Sequence, residues 1–319
     1  MKEQMQSVPI QELLTRDKVP VDVYILLGGK KYILVARAGH PVDRLKKYME
    51  RGLDRIYMRL SDHPHFMQLV INEASTTASS PNVTDLTKVA NLQLAMSSVY
   101  REITENGMNE SAFNHAKMVN HVTLSLVAKN PKLTDLFAEL VKTRPNMVEY
   151  SMMVSMMSAM IGVAQEWTKP GTIEKLGLGG FLHEIGRTKL PVELWEKPVS
   201  AMTPDELTIY QNHPEIGFQL LMQIKSVPED VLHIVREHHE RADGSGFPRG
   251  IKDLQMNPLA KVVALAVAFC DEYFSVIDGS ATHKTRIALE RIASQPFLFN
   301  RDAVKALNKL FPAARSKAA

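Results

Sequence analysis

The stretch REHHERADGSGFPRG, residues 236–250, joins two adjacent histidines to a turn punctuated by glycines. Neighbouring positions on a helix point about 100° apart, so His238 and His239 can face one site only near a helix end or over a broad pocket. Two interpretations are open for this stretch. It is either a polar helix terminus followed by a loop, or a pair of metal ligands attached to a shaped substrate loop.

Two further histidines fall near the ends of predicted helices. His183 lies in GGFLHEIGRTKLP with Glu184 beside it, and His213 lies in YQNHPEIG. Taken alone, His213 is more typical of a polar helix start than of a metal ligand, and an isolated His–Glu pair is weak support for a metal. Four histidines with one acid are nevertheless the donor mixture that redox-capable or hydrolytic divalent transition metals prefer. The combination therefore predicts a metal site.

The bulk composition limits the class of protein. A chain of 319 residues can form two domains with separate cores. Its 45% hydrophobic and 23% charged residues are ordinary for a water-soluble globular protein. The formal net charge of +3 is too small to predict binding to a nucleic-acid polymer.

Cysteine usage and apolar segments bear on the compartment. The single cysteine, Cys270, excludes an internal disulfide and favours a reducing compartment. The N-terminal MKEQMQSVPI has no apolar core of signal-peptide length. The most apolar run, residues 262–270, is far shorter than the roughly 20 residues of a membrane span. We therefore expect a cytoplasmic protein with no membrane contact.

The first 75 residues are expected to form a small α/β module. Residues 21–27 (VDVYILL) and 31–36 (KYILVA) are rich in strand-forming residues, and the Gly28-Gly29 pair between them predicts a hairpin. Residues 55–60 (RIYMRL) predict a third strand. The module has no phosphate-binding loop and no catalytic set, so it is interpreted as regulatory or partner-binding.

Two shorter segments in this part of the chain predict a helix and a linker. PVDRLKKYMERG, residues 41–52, predicts a short amphipathic helix that ends at Gly52. INEASTTASSPN, residues 71–82, has little apolar content and is predicted to be a linker.

From Val83 onward, apolar residues recur every three or four positions, which predicts helices almost to the end of the chain. Residues 76–145 are interpreted as linker and connecting helices, and residues 146–310 as one all-α domain. A methionine stripe within residues 152–160 favours core packing over an adaptable partner-binding face. Residues 203–206 (TPDE) predict a capped helix start.

The two histidine motifs resemble those of HD-GYP proteins, metal-dependent phosphodiesterases of the HD superfamily that hydrolyse cyclic di-GMP. HHERADGSGFPRG is similar to the HHExxDGxGYPxG motif, and GGFLHEIGRTKLP is similar to the LHDIGKxxxP motif. The resemblance covers about half the chain, residues 146–296. It implies a mainly α fold, in which an all-α HD-type helical domain follows the small α/β module.

The resemblance also implies a two-metal site acting on cyclic di-GMP or a related cyclic dinucleotide. Two ions sharing a hydroxide would supply the nucleophile and neutralise the charge that builds on the phosphoryl oxygens. His183 would hold one ion, Glu184 would bridge both, and His213, His238 and His239 would hold the second. Mixed nitrogen and oxygen ligation favours iron, with manganese as the second choice.

Further roles follow for Arg187 and for the glycine-rich turn. Arg187 replaces the family lysine and offers a fork for phosphate, so Glu184, Arg187 and Asp243 form the expected catalytic set. Asp243 would orient a ligand histidine or stabilise its own turn. The glycines would admit a ligand close to the backbone or only form a tight turn. The predicted substrate-binding residues are Arg187, Gly244, Gly246, Phe247 and Pro248.

Several positions depart from the family motifs. Glu184 stands in place of an aspartate and Phe247 in place of a tyrosine. The family's downstream aspartate aligns with Val267, and Asp271, one helical turn later, is kept as a second-choice ligand. The family's upstream histidine aligns with Tyr150 or Ser151, with Glu149 as a nearby substitute.

These departures leave a second function open. In that alternative the protein is a catalytically impaired receptor. It would bind cyclic dinucleotide or metal and signal through its N-terminal module.

Overall fold

The computed structural model describes residues 4–29, 31–129, 145–167, 169–195 and 197–312. The chain divides into two compact units, Met1–Glu73 and Ala74–Ala319. The first is a small α/β unit and the second is built from helices, which is the predicted mainly α class.

The N-terminal unit contains an antiparallel sheet in the order β1-β4-β2-β3. The predicted hairpin is confirmed, because Gly28 and Gly29 adopt φ of +59° and +69° between β2 and β3. Strand β1 was not predicted, since its polar residues hide the alternation that buries Val8 against β4. The elements are β1 (Met5–Pro9), α1 (Gln11–Leu14), β2 (Val23–Leu27), β3 (Lys31–Ala36), α2 (Asp43–Glu50) and β4 (Arg55–Arg59).

The predicted linker over residues 71–82 is wrong for most of its length. Helix α3 runs from His63 to Ser79, and Ile71, Ala74 and Ala78 are buried along one of its faces. These apolar positions recur every three or four residues, which outweighs the serines and threonines between them.

The helical unit continues with ten described helices. They are α4 (Asp85–Asn106), α5 (Glu110–Lys129), α6 (Met147–Ala164), α7 (Pro170–Leu182), α8 (Pro204–Gln211), α9 (His213–Met222), α10 (Glu229–Glu237), α11 (Pro258–Ser275), α12 (Ala281–Ala293) and α13 (Arg301–Leu310). Helices α4 and α5 lie in the segment interpreted as connecting helices, and residues 130–144 of that segment lie outside the described residues. The capping box predicted at Thr203 is present at the start of α8.

Helix α6 forms the centre of this unit and packs against α7, α11 and α13. Its methionine stripe is buried, which confirms the interpretation as core. A side chain at Gly180 of α7 would lie 2.8 Å from the Ser155 backbone, so this glycine lets the two helices approach closely. By length and composition α6 could cross a membrane, with a mean hydropathy of 1.4, but 67% of it is buried inside the protein. It is therefore a core helix of a folded domain.

Candidate metal centre

Three histidines at helix ends are oriented in the same way, by a hydrogen bond from the ring to the backbone. The Nδ1 atoms of His183, His213 and His238 lie 2.7, 2.7 and 2.8 Å from the carbonyl oxygen three residues earlier. A carbonyl oxygen only accepts hydrogen bonds, so each Nδ1 carries the ring proton. Each Nε2 is consequently left with a lone pair, which is the form of imidazole that binds a metal.

These lone pairs and one carboxylate converge in the buried centre of the helical unit. The ligand atoms of His213, His238 and His239 all lie within 4.8 Å of one another. Glu184 Oε2 is 3.4 Å from His213 Nε2, and Glu184 Oε1 is 4.0 Å from His183 Nε2. The His183 and His238 rings meet edge to face at 4.9 Å. The structure thus brings together the four residues of the two motifs and His213, which lies between them in the sequence.

The donor set fits a divalent cation. His183 Nε2, His239 Nε2 and Glu184 Oε2 are buried and have no hydrogen-bond partner among the described residues. The Nε2 atoms of His213 and His238 face each other at 3.1 Å, although neither has a proton to share. Unpaired acceptors are costly in a protein interior. Positive ions among them would satisfy these acceptors.

The protonation states of these groups also suit a metal. Burial lowers the pKa of His183 to about 4 and lowers the pKa of His213, His238 and His239 below the usual histidine value. Burial alone would raise the pKa of Glu184, but Arg187 and the histidines lower it to about 2. At neutral pH the site therefore consists of neutral imidazoles around an ionised carboxylate.

Gly186 brings the first motif into contact with the start of helix α9, which carries His213. A Cβ at this position would overlap the carbonyl oxygen of His213 and come within 2.7 Å of the Gly217 nitrogen. The short 3-10 helix over Ile185–Lys189 can therefore rest directly on the start of α9. Glu184 and His213 meet because of this close approach.

Arg187 links the metal centre to an adjacent cavity. Its Nη1 lies 3.3 Å from Glu184 Oε1, and its Nη2 donates to the carbonyl oxygen of Trp195. The guanidinium also lies over the Tyr210 ring, 5.7 Å from the ring centre. These contacts fix the arginine in the cavity wall.

The cavity has a volume of about 420 Å³ and reaches Glu184 and His239 at its base. Aromatic and charged side chains dominate its walls, namely Tyr150, Arg187, Trp195, Lys197, Tyr210 and Asp271. The sequence reasoning missed Trp195, Lys197 and Tyr210. The one available signal was the position of Tyr210 three residues before His213, since its carbonyl orients that histidine.

Tyr150, one of the two positions aligned with the family's upstream histidine, pairs with Asp271. The Tyr150 hydroxyl donates to Asp271 Oδ1 at 2.6 Å, and its ring lies 5.7 Å from the His183 ring. Asp271 is exposed and lines the cavity. Val267, the position in register with the family aspartate, is buried. Glu149 is excluded as a substitute ligand, because its carboxylate caps α6 and accepts from Gln93.

Asp243 stabilises its own turn, the second of the two roles considered for it. Its carboxylate is exposed and accepts from the Ser245 backbone nitrogen at 2.9 Å and the Ser245 hydroxyl at 2.7 Å. The Nδ1 atoms of His183, His213 and His238 are held by backbone carbonyls instead. The contacts of Asp243 are thus those of a turn residue, and its expected catalytic role stays a prediction. The motif acid that holds the loop is Glu240, which accepts from the backbone nitrogens of Arg249 and Ile251.

The other loop residues shape the turn and support a ligand histidine. Gly244 has a φ of +87°, and a Cβ at Gly246 would overlap the His239 carbonyl oxygen. The Phe247 ring stacks on His239 with centres 4.4 Å apart. Phe247 and Pro248 line a separate groove. Among the described residues, Arg187 is the one predicted substrate-binding residue that lines the cavity beside Glu184 and His239. The sequence analysis did not predict that Arg187 and the glycine-rich loop would line different cavities.

Comparison with known families agrees with the fold and the site. The HD domain family model matches residues 135–291 of this chain. This segment of the chain therefore belongs to the HD domain family, and the two motifs within it resemble those of HD-GYP proteins.

Several curated proteins share this segment. A cyclic di-GMP phosphodiesterase of Pseudomonas aeruginosa is 31% identical over 147 residues, which are 45% of this chain and 34% of that protein. One of Thermotoga maritima is 38% identical over 89 residues, 28% of this chain and 24% of that protein. A 3'3'-cGAMP-specific phosphodiesterase of Vibrio cholerae is 33% identical over 95 residues, 30% of this chain and 21% of that protein. The matches thus span about a third or less of these relatives.

One solved structure matches along almost the whole chain. It is an HDG"Y"P protein from Bdellovibrio bacteriovorus, with a TM-score of 0.69 and 22% identity, and the match covers 97% of this chain and 100% of that one. At this identity the likeness concerns the fold.

Proposed function

We propose that this chain is a metal-dependent phosphodiesterase of cyclic dinucleotides, with cyclic di-GMP as the first substrate to test. The observation that carries the proposal is the convergence of four histidine rings and Glu184 beside a cavity walled by Arg187. The relatives named above act on cyclic di-GMP or cGAMP, which supports this class of substrate.

The donors divide into two halves around Glu184. The histidine half consists of His213, His238, His239 and one Glu184 oxygen, and the aspartate half consists of His183, Asp271 and the other Glu184 oxygen. We propose one divalent transition-metal ion for each half, with iron as the first choice and manganese as the second. Such ions supply positive charge for the phosphoryl oxygens and make hydroxide available near neutral pH.

The chain itself supplies orientation and charge. Arg187 is held by Glu184 and Trp195, so its guanidinium can bind a phosphate without reordering. The rings of Trp195 and Tyr210 in the same cavity offer flat surfaces for nucleobases. The cytoplasmic location and the regulatory or partner-binding role of the N-terminal module are parts of the same proposal.

The test is product chromatography after incubation of the metal-loaded protein with cyclic di-GMP. A phosphodiesterase releases linear dinucleotide or mononucleotide, and a chelator abolishes the release. Saturable binding in a calorimeter with intact ligand recovered afterwards would instead identify the receptor.

A further inference from the structure

The two halves of the metal centre differ in how free their donors are. In the histidine half, no described protein group satisfies the Nε2 atom of His239 or the Oε2 atom of Glu184. In the aspartate half, the described groups also leave His183 Nε2 unsatisfied, but the Asp271 carboxylate already accepts a hydrogen bond of 2.6 Å from the Tyr150 hydroxyl. An ion entering the aspartate half must compete with this bond.

Tyr150 is held firmly in the position from which it makes this bond. It lies in the first turn of α6, which is closed by a capping box between Asn146 and Glu149. Its ring contacts the rings of His183 and Phe274 at 5.7 and 6.3 Å. Helix α6 also packs along α11, which carries Asp271. These contacts hold the Tyr150 hydroxyl beside the Asp271 carboxylate.

The chemistry of the pair strengthens the competition. A hydrogen bond from a hydroxyl to an ionised carboxylate is short and stronger than a neutral one. The phenol has one proton to donate, and the other acceptor near it, the Val267 carbonyl oxygen, lies farther away at 3.3 Å. A histidine at position 150 would offer a ring nitrogen as a metal ligand, and the tyrosine offers a hydroxyl proton instead.

From these contacts we infer that Tyr150 is a positioning residue that withholds Asp271 from a metal ion. The centre therefore loads in two steps. One ion binds tightly in the histidine half, and a second binds weakly, because its entry breaks the Tyr150–Asp271 hydrogen bond. This inference rests on the proposed function, and it makes occupancy of the second position dependent on the free metal concentration.

The experiment titrates the metal-free full chain with Mn²⁺ alone and counts free ions by electron paramagnetic resonance. The native chain is expected to take one tight and one weak equivalent. Tyr150→Phe keeps the ring and releases the carboxylate, so the second ion should bind about tenfold or more tightly. Tyr150→His adds an imidazole and should strengthen the second step further.

Two variants complete the design. Tyr210→Phe removes a hydroxyl from another ring in the same cavity, and both binding steps should remain as in the native chain. Asp271→Asn should lose the weak equivalent and keep the tight one. Thermal melts check that each variant is folded.

The inference is overturned if the native chain binds two ions equally tightly, or if Tyr150→Phe leaves the second step unchanged. The experiment measures metal binding, so its result does not depend on whether the protein is catalytically active. Two-step metal binding without hydrolysis of cyclic di-GMP would contradict the phosphodiesterase proposal alone. Hydrolysis with two equally tight metal ions would contradict this inference alone.

Discussion

The Nε2 atoms of His213 and His238 lie 3.1 Å apart, and neither carries the proton that a hydrogen bond between them would need. Both Nδ1 atoms face backbone carbonyls in buried helix ends, so the rings cannot turn to exchange roles. Two lone pairs held this close repel each other unless a cation lies between them. The helix ends therefore impose a contact that is favourable only with a metal present.

The first prediction concerns His238. Replacing it with alanine removes one of the two facing donors, so the tight ion should be lost while the fold is kept. Metal analysis after gel filtration in a manganese-replete buffer measures this. His233→Ala, on the same helix but facing Glu229 and Glu237, should retain the ion. Full metal content in the His238 variant would mean that the ligands lie elsewhere.

The second prediction concerns the pH dependence of the metal-free protein. Because the pKa of His183 falls from 6.5 to about 4 on folding, the unfolded state binds more protons between these values. Stability is therefore lost as the pH falls below 6.5. At pH 5.5 this histidine alone should cost about 1.4 kcal/mol relative to pH 7.5, and the lowered pKa values of His238 and His239 add to the loss.

Urea unfolding of the chelator-treated protein at the two pH values measures this loss. His183→Gln should flatten the dependence, since glutamine does not titrate. Equal stability of the native chain at pH 7.5 and 5.5 would show that the rings are not buried in the neutral form.

The third prediction concerns Gly186. A methyl group there meets the His213 backbone, which cannot yield as a flexible side chain would. Gly186→Ala should destabilise the protein by about 1–3 kcal/mol or more, and should weaken metal binding by separating Glu184 from His213.

Urea unfolding and metal content report the two effects. Gly171→Ala, in helix α7 with open space around the new methyl, is the matched control and should change stability little. A Gly186 variant that resembles this control would contradict the close packing of the first motif against the start of α9.

The fourth prediction concerns Phe247, whose ring stacks on His239. Phe247→Tyr restores the family hydroxyl, and one hydrogen bond is worth roughly 0.5–1.5 kcal/mol, or up to about tenfold in rate. Turnover of cyclic di-GMP should therefore rise. Phe218 lies on helix α9 beneath the Arg236 guanidinium. Phe218→Tyr adds the same hydroxyl away from His239 and should leave turnover unchanged. No gain with metal retained would point to Tyr150 and Asp271 as the limit on rate.

The sequence alone was sufficient to identify the helical domain and the five converging residues. Helical periodicity is a local property that follows from burying one face of each helix, and the two motifs carry most of the donors within short segments. The Gly28-Gly29 hairpin and the Thr203 capping box were predictable for the same reason, since each depends on adjacent residues. Helix α3 was misread because its buried alanines are weakly apolar, and only their packing distinguishes them from a linker.

The tertiary structure decided how the site is completed. Whether Asp271 or Val267 faces the cavity depends on how α11 packs along α6, and no local pattern encodes that rotation. The Tyr150–Asp271 bond joins residues 121 positions apart, and Trp195 and Tyr210 line the same cavity only because the intervening chain folds back. Long-range contacts of this kind depend on the packing of the whole core, so they were beyond a reading of the sequence alone.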